Sequence, residues 1–81
     1  QEPPQRRKLS WRDARELEQL PVRIETLEGQ VGEMTAAMSE PEFFRQDSAA
    51  ITAHNAALAA AQEELDRAYA RWEELEEGAS G

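Results

Sequence analysis

The sequence has no cysteine, which removes any disulfide framework and any thiolate metal site. Aromatic residues are scarce, 6% of 81 residues, within a hydrophobic fraction of 40%. That is too polar for a thick globular core and suits elements with one narrow apolar stripe each. No apolar run approaches the roughly 18–20 residues a membrane-spanning helix needs, and no signal-peptide core is present. The one histidine, His54, has no second His or Cys to complete a metal site. No glycine-rich phosphate loop or Walker sequence occurs, and no serine or threonine has a partner base. The segment therefore reads as non-enzymatic. Positive charge is in the minority, 9 Lys and Arg against 17 Asp and Glu, for a formal charge of -8. Such a balance opposes sequence-independent phosphate binding.

What the chain does have is heptad order. Leu17, Leu20, Ile24, Leu27, Val31, Met34 and Met38 are spaced alternately by three and four residues. A second seam, Ile51, His54, Leu58, Ala61, Leu65, Ala68, Trp72 and Leu75, repeats the spacing. A short breaker around Pro41 separates them. Apolar residues at this spacing line one face of a helix. Two seams joined by so short a turn can only pair antiparallel. The expected fold is all-α, a two-helix antiparallel intramolecular coiled-coil hairpin, monomeric because each seam is used by the other.

The expected layout is a flexible basic linker over 1–9, helix 1 over about 10–38, a turn over 39–46, helix 2 over about 47–77, and a flexible tail over 78–81. Ser10, with Asp13 three residues on, resembles a capping box. Pro21 removes a backbone donor inside helix 1, so a local irregularity is expected there, although the seam passes through without a phase slip. Ser39 and Glu42 suggest a second capping box around Pro41. Phe43 or Phe44 should fold back over Met38 and Ile51. Asp47 or Ser48 should cap helix 2, and Gly78 stands where a helix stop is common. With no initiator Met, and with Gly-Ala-Ser-Gly at its end, the chain reads as a segment of a longer protein.

Register follows from the turn. Met38 opposite Ile51 sets layers whose residue numbers sum to 88 or 89: Met34 with His54, Val31 with Leu58, Leu27 with Ala61, Ile24 with Leu65, Leu20 with Ala68, and Leu17 with Trp72. The flanking g positions then bring Glu16 to Arg71 and Arg23 to Glu64. Such pairs contribute little energy but fix orientation. Trp11, Trp72 and Tyr69 are expected to cluster around the open end.

The acidic groups Glu63, Glu64, Asp66, Glu73, Glu74, Glu76 and Glu77 read as solvated helix faces. His54 reads as a half-buried polar spacer. The charge feature that stands out is the base of helix 1. Arg6, Arg7, Lys8, Arg12 and Arg15 lie within ten residues and are five of the nine basic side chains. A basic arm leading into a helix is a nucleic-acid signal; the plainer alternative is a basic linker.

The motifs KLSW at 8–11, RELEQLP at 15–21, IETLE at 24–28, EPEFF at 40–44 and ARWEEL at 70–75, in this order, resemble the C-terminal domain of Uup-type ABC-F ATPases. The resemblance covers nearly all of residues 8–77. It implies a cytoplasmic parent protein with two ATP-binding cassettes ahead of the hairpin, and no membrane span. ATP would belong to those cassettes, with no cofactor in this segment. It also implies that the hairpin contributes DNA binding, with RNA or ribosome contact as the wider family theme. The family's basic linker and first turn correspond here to Arg6, Arg7, Lys8, Arg12 and Arg15. The competing expectation is a structural arm that contacts the ribosome or the parent's own ATPase domains without binding DNA itself.

Overall fold

The structure is a computed structural model, and it describes residues 9–80. Helix α1 spans Trp11–Ala37, a short 3-10 helix spans Pro41–Arg45, and helix α2 spans Ser48–Ser80. The two long helices pair along their seams as an antiparallel coiled-coil hairpin. At 1.5 Å per residue, the 33 residues of α2 make a rod of about 50 Å.

Both helices begin on a side-chain cap. Ser10 Oγ accepts from the Asp13 backbone N–H at 3.1 Å, and Asp47 Oδ1 accepts from the Ala50 N–H at 2.8 Å. Asp47, not Ser48, is therefore the cap of α2. Helix α1 runs through Pro21 as one element. Pro21 forfeits one backbone bond, and the seam on both sides holds the helix across the gap.

The core is concentrated toward the open end. Leu20, Ile24, Leu27, Ala68 and Leu75 are buried together, with Leu9, Leu17, Leu65 and Trp72 packed against them. Leu17 and Trp72 thus meet the same cluster, as the register requires. Toward the tip, Val31, Met34, Met38, Ile51 and Leu58 are only half-buried. The tip is closed by Phe43, 4% exposed, whose ring meets Phe44 edge-on at 5.0 Å and His54 at 4.8 Å. His54 Nε2 bonds the Met34 backbone oxygen at 2.9 Å, which reproduces the expected layer.

Four local expectations are corrected. The Ser39–Glu42 capping box does not form. The Ser39 and Glu40 N–H groups donate to the Ala36 and Ala37 carbonyls as α1 ends, and Glu40 opens the 3-10 helix without a side-chain bond. Gly78 does not stop α2, which continues to Ser80. Its missing side chain gives room instead, because a methyl there would lie 3.2 Å from Leu9 Cδ2. Leu9 accordingly belongs to the packed base and not to a linker. Residues 78–80 are helical, and Gly81 lies outside the described residues. Finally, no aromatic cluster forms at the open end. Trp72 packs on the core, but Trp11 is 75% exposed and Tyr69 39% exposed.

Candidate nucleic-acid interface

Polar side chains meet across the hairpin on both flanks of the seam. On the g flank the Arg23 guanidinium donates to Glu64. Lower on the same flank Arg71 is a hub. It donates Nε to Glu16 at 3.0 Å, Nη2 to Glu16 at 3.0 Å and to Asp13 at 3.2 Å, and Nη1 to Glu74 at 2.9 Å. The fork geometry of arginine makes this multiple contact feasible. The Glu16 carboxyl is held below the ordinary carboxylate range, chiefly by the hydrogen bonds from Arg71 and against partial desolvation. Arg71 is in turn pushed up, first by Glu16 and then by Glu74. On the opposite, e flank, the Tyr69 hydroxyl donates to Glu28, and that bond raises the phenol above its usual value.

Both g-flank pairs expected from the register are present. The Asp13–Arg71 and Glu28–Tyr69 contacts were not foreseen. Glu28 and Tyr69 both follow a d residue of their seam, but they lie one heptad away from direct opposition in this register, so two long side chains leaning toward each other close the contact. Asp13 was assigned to the cap, yet its carboxylate turns inward to Arg71.

This inward turn shapes the base of α1. Its first two turns carry the acids Asp13 and Glu16 and the bases Arg12 and Arg15. Arg71 neutralises both acids from across the seam. Arg12 and Arg15 are exposed and, among the described residues, join no salt bridge. By contrast Arg23 and Arg71 are paired across the hairpin, and Arg67 lies 3.9 Å from Glu63 on its own helix. Trp11, Arg12 and Arg15 fall at outer heptad positions b, c and f, on one outward face. The Arg15 guanidinium carbon sits 5.2 Å from the centre of the Trp11 ring. Arg6, Arg7 and Lys8 lie outside the described residues.

Other chemistries find little footing. Among the described residues no group of three or more His, Cys, Asp and Glu side chains is arranged to hold a metal ion. Among the described residues no helix is long and apolar enough to cross a membrane.

A hairpin with an apolar seam, charged flanks and one basic outward face at its base is a coiled-coil accessory domain. The chain belongs to the ABC transporter C-terminal domain family, whose model matches residues 8–77. It is 46% identical over 70 residues to the ATP-binding protein Uup-like of Haemophilus influenzae and, equally, to the ATP-binding protein Uup of that organism. Against the ATP-binding protein Uup of Escherichia coli it is 41% identical over 69 residues. These matches cover 86%, 86% and 85% of this chain, but the chain spans only 15%, 11% and 11% of the relatives' own lengths. Among solved structures it is similar to the C-terminal domain of the Uup protein, described there as a DNA-binding coiled coil motif. The TM-score is 0.82 at 38% identity, over 90% of this chain and 86% of that one.

Proposed function

We propose that this hairpin is the C-terminal accessory arm of a cytoplasmic ATP-binding protein and contributes DNA binding through the outward face at the base of α1. The contacting residues are Arg12 and Arg15, continued along the sequence by Arg6, Arg7 and Lys8. The observation that carries the reading is the neutralisation of Asp13 and Glu16 by Arg71. It leaves Arg12 and Arg15 exposed on the outward face and, among the described residues, outside any salt bridge. The DNA-binding coiled coil to which the chain is similar supports the same reading.

The net charge of -8 is no obstacle in this geometry. Glu73 and Glu77 occupy outer positions b and f of α2, on the far side of the seam from Arg12 and Arg15, and Glu74 is paired with Arg71. Two helices packed 8–10 Å apart, each about 10–12 Å across, separate those faces by about 20 Å. That exceeds two Debye lengths of about 8 Å at physiological salt. A phosphate backbone can approach the basic face while the acidic face points away. ATP, in this proposal, is held by other parts of the parent protein.

Fluorescence anisotropy of the chain with labelled duplex DNA, single-stranded DNA and structured RNA, at two salt concentrations, tests this. Binding to DNA that weakens steeply with salt is expected, with a slope of about 0.9 per phosphate contacted. Replacing Arg6, Arg7, Lys8, Arg12 and Arg15 together by alanine should abolish it. No DNA binding at low salt would refute the proposal and favour an arm that contacts the ribosome or the parent's ATPase domains. That second reading draws on Phe44, 67% exposed at the tip.

A further inference from the structure

Trp11 is the anomaly of the exposed surface. Tryptophan is a rare, large side chain that usually buries most of its area. Here it is 75% exposed at the first residue of α1. Neither packing nor capping accounts for it: the core of the base is completed by Leu9, Leu75 and Trp72, and the cap is Ser10. Its surroundings are specific. Arg15 lies one helical turn on, with its guanidinium over the indole at 5.2 Å. Arg12 is next to it on the same outward face. Of the nearby acids, Asp13 and Glu16 are turned inward to Arg71, and exposed Glu18 lies one heptad further along the same face.

We infer that Trp11 is a stacking platform for an unpaired nucleobase, with Arg12 and Arg15 holding the phosphates on either side of that base. The inference rests on the DNA-binding reading above and adds a ligand class to it: DNA with unpaired or unstacked bases, such as single strands, gaps and branch points. An indole at the start of a rigid helix gives a flat apolar face at low entropic cost. Every base has a π-face to lay on it, so such a site is tolerant of sequence. A blunt duplex buries its base faces in its own stack and offers only phosphates, so it meets the cations and not the ring. Guanidinium contact with one indole face also fixes the ring orientation and leaves the other face free. The site therefore separates two contributions on neighbouring residues. The cations give salt-dependent affinity for any backbone, and the indole gives preference for unpaired bases.

The test compares Trp11→Ala and Trp11→Phe with the wild-type chain, titrating a short single-stranded oligonucleotide and a blunt duplex of the same sequence at two salt concentrations. Trp11→Ala should weaken single-strand binding about 5- to 150-fold, the range for losing one stacked base. It should change duplex binding less than about twofold and leave the salt slope intact, because stacking releases no counterions. Trp11→Phe, which keeps a ring, should retain most of the single-strand affinity. Wild-type tryptophan emission should be quenched by the single strand, and Trp11→Phe should abolish that quenching while Trp72 remains. Equal weakening on both DNAs, or no change on either, would overturn the stacking role while leaving DNA binding by the base in place. A wild-type chain that binds neither DNA at low salt would overturn the underlying reading as well.

Discussion

The two ends of this hairpin are built on different principles. The base half holds the contiguous buried core, the Arg71 hub and the Arg23–Glu64 pair. The tip half has half-buried seam residues, two helical glycines and one well-buried aromatic, Phe43. At the base, apolar burial and charge pairing agree on one register, and arginine pairing frees a cationic, aromatic outer face. At the tip, the chain reverses through a tight 3-10 helix whose closure depends on a single ring. The base is thus a stable platform that can display side chains, and the tip is the end most sensitive to one substitution.

The largest expected effect tests that single ring. Phe43→Ala should lower stability by about 3–5 kcal/mol, the range for deleting a buried aromatic. Phe44→Ala, on a ring 67% exposed, should stay within about 0.5 kcal/mol. Thermal unfolding by circular dichroism reads both. Comparable losses would mean that the tip is closed by the pair and not by Phe43.

A smaller, opposite effect should come from the glycines of α1 near the tip. Methyl groups added at Gly29 and Gly32 would meet nothing within 4 Å. Both sit inside a helix on outward positions, so Gly29→Ala and Gly32→Ala should each stabilise by about 1 kcal/mol. For a domain of this size that is a Tm rise of about 4–8 °C each. If the tip half is the weaker one, amide exchange there should slow more than at the base. A fall in Tm at either site would show that the backbone or its neighbours there do not tolerate a methyl group.

The smallest effect belongs to the base and is a pH effect. Glu16 has its folded-state pKa lowered by Arg71. Its contribution is present above the unfolded-state pKa and is lost as pH falls through the lowered folded value. Wild-type Tm should therefore drop on acidification through and below the ordinary carboxylate range. Glu16→Gln should be less stable at neutral pH and show a flatter acid limb, with the difference shrinking in high salt. An acid limb unchanged in Glu16→Gln would remove Glu16 from the basis of the base's stability.

Much of this arrangement was legible beforehand because heptad spacing is a strong local signal. It yielded the hairpin, the layer of Met34 and His54, and the Glu16–Arg71 and Arg23–Glu64 pairs. It also placed Arg12 and Arg15 at the base. What escaped it were positions where one side chain had two options. Asp13 could serve the cap or Arg71, and the second, longer-range partner won. Gly78 could end a helix or make room for a neighbour, and Leu9 decided that. Trp11 is expected in a cluster with Trp72 and Tyr69 at the open end, yet counting back from Leu17 puts it at an outer b position, and it is exposed.

The sequence by itself determined the topology, the register and the charge pairs of the g flank, because periodicity and a short turn leave no other way to bury the two seams. Only the tertiary structure decided which charges remain uncompensated and which aromatic rings reach water. Those outcomes depend on side chains 55 or more residues apart meeting across the seam, as Asp13 and Glu16 meet Arg71. No local pattern records how one arginine divides its hydrogen bonds among several carboxylates. That division leaves Arg12 and Arg15 exposed beside Trp11, on the face proposed to meet DNA.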